Sequence, residues 1–414
     1  MAREQIICGI DIGSRYIYTV AASFSSETPL PQILGIGRVR SAGIRRGMIL
    51  DSEDASRSIV KSIEEAQRTA GISIGSAYVS IGGNHIESMP SRGVVAVSRA
   101  DGEISGDDIE RVKTIAATVT LPHNREILHN ITREFILDGK DSLRDVLGMK
   151  ALKLEANTLI IAGSTAHLRN ITKCVNDANV DVDGFVLAPI AAAEAVLSKR
   201  QKEIGVLSLD IGAGTTDLAV FEEGNLVHTN ILPFGGDNIT QDLAIGLRVD
   251  VDVAERIKRD YGMALVSEVS KRDMIDLSQY DPNEKETVSR KTVIEIMEAR
   301  IFEILDKVNK ELRSIGKEAF LPAGVVLTGG SAKIPHIVDA CKMKLRLPVQ
   351  IGFPKDVEGI AASIDDPAYA TALGLIFHGY DEGGYTVNSF SMPGLPSFGK
   401  ASGKMKKWMR TLLP

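Results

Sequence analysis

Two short apolar segments near the N-terminus, IICGIDIG and IYTVAASF, lie on either side of the turn Gly13-Ser14-Arg15. Short apolar runs separated by a glycine-bearing turn are typical of the two strands of a hairpin. The segment GVLSLDIGAGTTDLAVFEEG repeats this arrangement, with its turn at Gly212-Ala213-Gly214-Thr215. Asp11 and Asp210 hold the same place in the two segments and are 199 positions apart, nearly half the chain. The repeat predicts two related halves, each beginning with an aspartate-bearing hairpin.

Two further segments have apolar residues at helical spacing. The segment SEDASRSIVKSIEEAQRTAG predicts a helix that ends at Gly71, a natural C-cap. The segment SRKTVIEIMEARIFEILDKVNKELRSIG predicts the longest amphipathic helix of the chain. Its apolar side is expected to consist of Val293, Ile296, Ile301, Ile304 and Val308.

The remaining patterns organise the chain more coarsely. The block from about Ile86 to Ala162 mixes short strands with a helix near Asp107 to Val119, which predicts an inserted α+β module. Residues 324–328 are predicted to form a buried strand, and Gly329-Gly330-Ser331 is expected to open the following helix. Residues 379–403 are rich in Gly, Ser and Pro without periodicity, which predicts a flexible linker.

Composition narrows the class of protein. Hydrophobic residues at 44% and charged residues at 25% are ordinary globular values. The three cysteines and seven histidines are scattered, so buried reduced thiols are expected and a zinc site is not. The N-terminus lacks the pattern of a signal peptide, and no run of about 18 apolar residues occurs, so we expect a cytoplasmic protein that does not cross the membrane.

The C-terminal sequence KASGKMKKWMRTLLP carries five basic and no acidic side chains, although the whole chain has a net charge of −6. On a helix, the apolar side chains of this segment would form one stripe flanked by lysine and arginine. Such a segment is too short to cross a bilayer but can lie among anionic headgroups, where each basic residue contributes about 1 kcal/mol. The alternatives are a frayed, solvated end or a stripe that docks on the protein's own core. The predicted membrane-contacting residues are Lys404, Met405, Lys407, Trp408, Met409, Arg410, Leu412 and Leu413.

The second hairpin has the chemistry of a phosphate site. Glycines in its turn let the backbone N–H groups of residues 212–214 approach phosphate oxygens, and Thr215 and Thr216 add hydroxyl groups. Asp210 can hold Mg²⁺ or its water shell. The alternative is an ordinary hairpin, in which Asp and Gly are common turn residues. The presence of two such hairpins favours phosphate binding.

Three weaker signals accompany the hairpins. Gly329-Gly330-Ser331 after a buried strand suits a nucleotide's phosphate or nucleoside, as does Gly235-Gly236 before a helix. Glu255 and Lys258 are three positions apart and share a helix face, although taken alone they are better explained as a solvated salt bridge. The chain contains neither a Walker loop, nor a dinucleotide-binding glycine motif in its proper context, nor a nucleophile elbow.

Together these stretches resemble the motifs of the actin-like ATPase superfamily. GIDIGSRYIYTV and GVLSLDIGAGTTDLAV resemble its two phosphate motifs, VVLTGGSAKIP its adenosine motif, and GFVLAPIAAAEAVL and YATALGLIF its two connecting helices. Within the superfamily, the inserted block, the segment EARIFE and the basic tail resemble the FtsA family of bacterial cell-division proteins. The resemblance covers about residues 5 to 378 and the tail.

The resemblance implies an α/β, actin-like fold of two lobes, that is, two ribonuclease-H-like halves around a nucleotide cleft, with an FtsA-type inserted α+β subdomain. Its expected divisions are 1–84 with 163–203 and 366–380 (subdomain 1A), 85–162 (inserted subdomain 1C), 204–238 with 319–365 (2A), 239–318 (2B), 381–400 (linker) and 401–414 (membrane-targeting helix).

The resemblance also implies a function. FtsA proteins bind ATP with Mg²⁺, polymerise head to tail, and tether filaments of the tubulin-like FtsZ to the cytoplasmic side of the inner membrane at the septum. Later division proteins such as FtsN are expected partners, and nucleic acid is not. The FtsZ C-terminal peptide would lie against the fourth subdomain, where Arg290, Lys291 and Arg300 could meet its acidic groups. A solvated helix face is the alternative for these three residues.

Carried over position by position, the resemblance implies a nucleotide site and a weak catalytic pair. Asp11 and Asp210 would hold Mg²⁺ through water, and Asp210 and Thr215 are the weak catalytic candidates. The implied nucleotide-binding residues are Asp11, Gly13, Ser14, Arg15, Gly212, Ala213, Gly214, Thr215, Thr216, Gly235, Gly236, Glu255, Lys258, Gly329, Gly330 and Ser331.

One departure from the superfamily bears on hydrolysis. In MreB proteins and heat-shock chaperones a glutamate precedes the proline of the first connecting helix and helps to position the attacking water. The matching residue here is Ala188, which can neither transfer a proton nor orient water. We therefore expect slow turnover at most, with ATP acting mainly as a ligand for polymerisation.

Two other functions fit part of the sequence. Sugar kinases share the phosphate motifs, but they need an aspartate base facing an acceptor pocket, and no residue can be assigned to that role. The pilus-assembly protein PilM is an actin-like relative with a similar inserted module, but it is not expected to end in a linker and a basic amphipathic segment.

Overall fold

The structure is a computed structural model that describes residues 5–25, 30–270, 273–280, 286–355, 357–359 and 364–382. The first aspartate-bearing hairpin forms the middle of a sheet, and a long helix covers one face of that sheet. Asp51 caps this helix by accepting hydrogen bonds from the amides of Glu53 and Asp54, and Gly71 ends it in the left-handed conformation. The elements up to this point are β1 (Gln5–Ile12), β2 (Tyr16–Phe24), β3 (Gln32–Arg40), β4 (Ile44–Arg45), β5 (Met48–Ile49), α1 (Ser52–Ala70) and β6 (Ser76–Ile81).

The inserted block forms its own antiparallel sheet in the order β7-β10-β8-β9, with one helix packed on it. Its elements are β7 (Glu87–Ala96), α2 (Gly106–Ala116), β8 (Arg125–Leu137), β9 (Asp141–Leu143) and β10 (Lys153–Ser164). We call residues 87–164 the insert. The helix begins with a capping box between Ser105 and Asp108, and it ends three residues before the predicted Val119.

After the insert the chain completes the first sheet with α3 (Thr165–Asn176) and β11 (Asp181–Leu187), and then crosses to the second lobe through α4 (Ala188–Val196) and α5 (Lys199–Ile204). The second lobe contains β12 (Val206–Ile211), β13 (Thr216–Glu222), β14 (Asn225–Leu232), α6 (Gly236–Leu247), α7 (Val251–Tyr261), β15 (Met274–Asp276), β16 (Thr287–Ser289), α8 (Arg290–Ser314), β17 (Val325–Thr328), α9 (Ile337–Leu345) and β18 (Val349–Ile351). The chain then returns to the first lobe with β19 (Glu358–Gly359) and α10 (Ala370–Glu382).

The two sheets have the same design, which confirms the predicted internal repeat. Their strand orders are β11-β6-β1-β2-β3-β19 and β18-β17-β12-β13-β14. In each sheet the hairpin is antiparallel, and the strand beside its first member, β6 or β17, runs parallel to it. Asp11 and Asp210 therefore lie at equivalent ends of β1 and β12, where parallel strands of α/β sheets commonly present ligand sites.

Three predicted boundaries are wrong. Residues 358–359 were expected in the second lobe, but β19 pairs in parallel with Gln32 and Ile33 and extends the first sheet. The boundary predicted between residues 238 and 239 falls inside α6, which is continuous from Gly236. The helix α10 continues to Glu382, two residues into the predicted linker. The rest of that linker and the tail, residues 383–414, lie outside the described residues.

The lobes meet at α4 and α10, which pack closely against each other. A Cβ atom on Gly374 would collide with the backbone carbonyl of Ala191, so only glycine permits this approach. One apolar cluster at the junction contains residues of the first lobe together with Ile131 and Leu159 of the insert and Phe221 of the second lobe. The insert therefore shares a core with both lobes.

The long helix α8 packs as predicted, since Val293, Ile301, Ile304 and Val308 are buried, whereas Ile296 is only partly so. The three cysteines are buried and unpaired, as expected. Burial raises the pKa of the Cys8 and Cys341 thiols to about 12. In the part of the chain that the structure describes, helices long and apolar enough to span a bilayer are absent.

Candidate functional site

The turns of the two hairpins face each other across the gap between the lobes. A Cβ atom on Gly214 would lie 2.5 Å from Ser14 Oγ and 3.0 Å from the Cα atom of Arg46. Ser14 Oγ in turn accepts a hydrogen bond from the amide of Gly47, at 3.1 Å. Glycine at position 214 is thus required for the two predicted phosphate loops to approach this closely.

The second loop is held by the first turn of α6. The amides of Gly236 and Asp237 donate to the carbonyls of Gly212 and Ala213, at 2.9 and 2.8 Å. A Cβ atom on Gly235 would lie 2.6 Å from the carbonyl oxygen of Ala213. The sequence motif around Gly235-Gly236 therefore serves, at least in part, to fix the conformation of the second loop.

The third glycine turn contacts the same loop from another side. Gly329 has a φ of 85°, and a Cβ atom there would collide with Asp210 Oδ1. Ser331 Oγ donates to the carbonyl of Gly212 at 3.3 Å, whereas Gly330 is exposed and open to a side chain. Gly13, Gly235, Thr216 and these residues are all brought to one region, as expected.

The prediction that Gly329-Gly330-Ser331 opens a helix is wrong. Residues 330–333 form a single 3-10 turn, and α9 begins only at Ile337. Pro335 follows that turn, and His336 has a left-handed φ of 60°, which α-helical geometry excludes. The amide-rich N-terminus of α9 therefore does not point from the glycines.

Glu255 and Lys258 lie at the base of this site and not on a solvated face. Lys258 Nζ is 2.7 Å from Glu255 Oε2 and donates to the carbonyl of Gly236 at 3.1 Å. Thr240 Oγ1 donates to the same carboxylate at 2.6 Å. Burial raises the pKa of Glu255, but Lys258 outweighs it and the net pKa is lowered; burial lowers the pKa of Lys258. The pair is a buried, charged unit beneath the second loop, so its explanation as a surface salt bridge is wrong.

Arg15 connects the first lobe to this unit. Its guanidinium lies 3.0 Å from Glu255 Oε1 and 3.5 Å from Asp237 Oδ1. Arg259 is a second cation on Glu255, at 2.9 Å. The carboxylate of Glu255 is therefore bound by cations from both lobes, and Arg15 holds the lobes together at the cleft.

Three carboxyl groups converge beside the loops. Burial raises the pKa of Asp11 to about 6, although Ser80 Oγ donates to Asp11 Oδ1 at 2.8 Å. Burial raises the pKa of Asp217 to about 7, and burial followed by the charges of Asp217 and Asp11 raises the pKa of Asp210 well above its ordinary value. One buried oxygen of Asp217 has no hydrogen-bond partner. Such a cluster of carboxyls, short of positive charge, is chemically suited to a hydrated divalent cation.

Direct ligation of a metal has less support. Over the described ranges, groups of three or more His, Cys, Asp or Glu side chains close enough to hold one ion are absent. A magnesium ion held through its water shell, as predicted for Asp11 and Asp210, is compatible with this geometry and remains a prediction.

Asp217 is the site residue that the sequence analysis missed. It lies directly opposite Asp210 across the β12–β13 ladder, and Asp11 has Tyr18 in the equivalent position. The signal was present, because positions 210 and 217 are equally far from the turn of the predicted hairpin and must therefore face each other. Thr215 donates a side-chain hydrogen bond to Asp217.

The basic residues predicted to meet a partner peptide lie far from this cluster, at the start and on the flank of α8. Arg290 donates to the carbonyl of Tyr261 at 3.1 Å, and Lys291 is 3.2 Å from Glu295. Arg300 forms a paired contact with Asp242, at 2.5 and 2.9 Å. All three cations therefore have acidic or carbonyl partners within their own lobe. The predicted membrane-contacting residues, from Lys404 to Leu413, lie outside the described residues.

Comparisons with known proteins identify relatives over most of the chain. Residues 207–374 match the family model described as cell division protein FtsA, and residues 83–162 match a model described as the SHS2 domain inserted in FtsA. The cell division protein FtsA of Pseudomonas aeruginosa is 36% identical over 91% of this chain and 89% of the relative. That of Bacillus subtilis is 36% identical over 91% and 84%, and that of Escherichia coli K12 is 30% identical over 91% and 90%.

Solved structures show that the fold is actin-like. A chain of the PilM–PilN type IV pilus biogenesis complex superposes with a TM-score of 0.65 at 15% identity, covering 90% of this chain and 98% of that one. MreB5 of Spiroplasma citri bound to ADP superposes with a TM-score of 0.52 at 13% identity, covering 92% and 98%. The expected two-lobed α/β fold with an inserted α+β subdomain is confirmed.

Proposed function

This chain belongs to the FtsA family of bacterial cell division proteins, and from that premise we propose that it is an ATP-binding, polymerising anchor that tethers FtsZ filaments to the inner face of the cytoplasmic membrane. The family assigns the chain to cell division. The observation that carries the finer proposal is the site between the lobes, where two glycine loops, a buried Glu255–Lys258 unit and three charge-poor carboxyls converge.

The glycine loops would hold the phosphates of ATP. The approach of Gly214 to Ser14 leaves backbone amides rather than side chains along the gap between the lobes. Gly329-Gly330-Ser331 and Glu255 with Lys258 would surround the nucleoside. Asp11 and Asp210 would hold Mg²⁺ through water, and the ion would supply the positive charge that the three carboxyls lack.

Hydrolysis is proposed to be slow. Ala188 is the first residue of α4, and its methyl group can neither accept a proton from water nor orient it. Thr215 donates to Asp217, so its hydroxyl is already engaged. ATP would then act chiefly as a ligand that favours head-to-tail assembly, in which many weak membrane contacts of the basic tail combine through avidity.

The partner assignments follow from the family premise. The FtsZ C-terminal peptide is proposed to bind the lobe that contains α8, where its carboxylates would add to or replace those of Asp273 and Asp242 around Arg290 and Arg300. Anionic lipid would bind the C-terminal segment, and FtsN is a proposed later partner. The proposed location is the cytoplasmic side of the inner membrane at the septum.

A matched pair of glycine variants tests the nucleotide site. We expect Gly329→Ala to weaken binding of a fluorescent ATP analogue at least tenfold, because its Cβ atom would displace Asp210. Gly330→Ala has open space at its Cβ position and should bind almost as the parent does. Absence of saturable, Mg²⁺-dependent binding by the parent chain would remove the nucleotide part of the proposal.

Sedimentation with anionic vesicles tests the anchor. The full chain is expected to sediment with the vesicles and to carry purified FtsZ with it when ATP is present, whereas a chain cut after Ser397 should remain in solution. Equal sedimentation of the two chains would contradict a membrane role for the tail.

A further inference from the structure

The insert is joined to the first lobe by more than its two chain connections. At one connection, Arg125 Nη1 donates to the carbonyl of His85 at 2.7 Å. At the other, the amide of Ser164 donates to His85 Nδ1 at 3.3 Å. Deeper in the junction, His129 Nε2 accepts a hydrogen bond from the amide of Leu187 at 3.0 Å. The base of the insert is thus fixed on the first lobe.

The insert also reaches the second lobe through a bulge in β8. Asn157 pairs with Glu134 and Thr158 pairs with Thr132, so Arg133 is the extra residue of the strand. Bulges commonly redirect one side chain out of the regular alternation. Here the Arg133 guanidinium donates to the carbonyl of Val227 on β14.

The same residue is held from the other side. Asn225 Nδ2 donates to the carbonyl of Arg133 at 2.8 Å, so donor and acceptor groups are exchanged between the bulge and β14. Ser88 Oγ contacts the carbonyl of Thr229 at 3.4 Å. Arg144 adds an ion pair to Glu223 at 3.6 Å, but both side chains are well exposed and contribute little. The half-buried Arg133 is therefore the main polar contact between the insert and the second lobe.

This contact lies at the opposite end of β14 from the nucleotide site. Thr216, in the second phosphate loop, pairs with Leu232 at one end of β14, whereas Val227 and Asn225 lie toward the other. Because β14 belongs to one hydrogen-bonded sheet, a rotation of the second lobe about α4 and α10 moves both ends together. A change at the cleft must therefore be taken up at Arg133.

We propose that the bulged Arg133 couples the insert to the second lobe, so that the orientation of the insert follows the angle between the lobes. The coupling itself is a property of the fold. It rests on the proposed function only in that ATP binding is what changes the angle.

The coupling can be measured as distances between spin labels. Lys61 on α1, Leu152 on the insert and Phe320 on the second lobe are exposed positions for introduced cysteines. The three native cysteines are buried and should not react with the label. Arg133→Ala is the test variant. Arg99→Ala is its matched control, because Arg99 is exposed and pairs only with Asp101 and Glu103 within the insert.

Without nucleotide, the parent and the Arg99→Ala variant are expected to give one narrow distribution of the distance between labels at 152 and 320. Arg133→Ala should broaden that distribution at least twofold. Asn225→Ala, which removes one hydrogen bond and no charge, should broaden it less. Melting curves of the labelled variants show whether each remains folded. An unchanged distribution in folded Arg133→Ala would overturn the proposal.

With saturating MgATP, the distance between labels at 61 and 152 should shift in the parent, and the shift should be at least halved in Arg133→Ala. A parent that binds a fluorescent ATP analogue and changes its 61–320 distance, but not its 61–152 distance, would also overturn the coupling. If the parent binds no nucleotide, the proposed function fails, and the nucleotide-free comparison still decides the coupling.

Discussion

Replacing Asp217 by Asn is expected to stabilise the protein above neutral pH when nucleotide and divalent cations are absent. Asp217 is only 8% exposed, has one buried oxygen without a hydrogen-bond partner, and faces Asp210 across the hairpin. Asparagine has the same shape and no charge. The substitution therefore removes the cost of ionising a third carboxyl in the cluster.

The magnitude follows from the pKa of this group. Burial raises it from 3.8 to about 7, and each unit corresponds to about 1.4 kcal/mol, so ionised Asp217 lowers the free energy of unfolding by about 4 kcal/mol at most. Because the folded state binds the proton more tightly than the unfolded state, stability from this group is fully present below pH 3.8. It is lost progressively as the pH rises to about 7.

Thermal unfolding at a series of pH values measures this effect. At pH 8 with EDTA, Asp217→Asn is expected to be about 2 to 4 kcal/mol more stable than the parent. With an unfolding entropy of about 2 cal/mol/K per residue, this corresponds to a rise in Tm of about 2 to 5 °C. At pH 4 the two proteins should melt together. Added MgATP should stabilise the parent more than the variant, because the variant has lost one negative charge facing the ion.

A parent and variant with parallel Tm curves from pH 4 to pH 8 would refute this reasoning, since Asp217 would then titrate in the folded state as it does in the unfolded chain. A variant that is less stable at every pH would show instead that the Thr215–Asp217 hydrogen bond outweighs the cost of the buried charge.

Three other substitutions have definite expected outcomes. Gly374→Ala should lower the free energy of unfolding by about 1 to 3 kcal/mol in chemical denaturation, because its Cβ atom collides with the backbone of α4, whereas Gly106→Ala, which meets nothing within 4 Å, should not. Trp408→Glu should abolish sedimentation with anionic vesicles, and retention of binding would contradict the anchor. Thr215→Ala should change the steady-state rate of phosphate release by less than about threefold, and a fast parent rate that this variant loses would contradict slow turnover.

The sequence predicted the parts of the fold that depend on short-range pattern. Both hairpins, the repeat that relates them and the helix that ends at Gly71 follow from spacing and turn chemistry alone. The missed boundaries depend on long-range pairing. Nothing in residues 358–359 indicates that they add to β3, because a two-residue strand has no periodicity of its own.

The site divides in the same way. The contact of Asp210 with Asp217 could have been deduced from the hairpin register, since it needs only the position of the turn. The contact of Arg15 with Glu255 could not, because 240 positions and the boundary between the lobes separate the two residues. For the same reason, Glu255 and Lys258 were best explained as surface residues until their burial under the second loop was visible.

The charges at the cleft oppose one another in a way that makes lobe closure depend on bound ions. Asp11 of the first lobe raises the pKa of Asp210 and Asp217 in the second, so the three carboxyls repel one another across the gap. Arg15 attracts Glu255 and Asp237 across the same gap. A divalent cation near the carboxyls cancels the repulsion and leaves the attraction of Arg15 unopposed. Closure is therefore favoured by the cation as well as by the phosphates, and the insert, bound to both lobes, lies where that closure is felt.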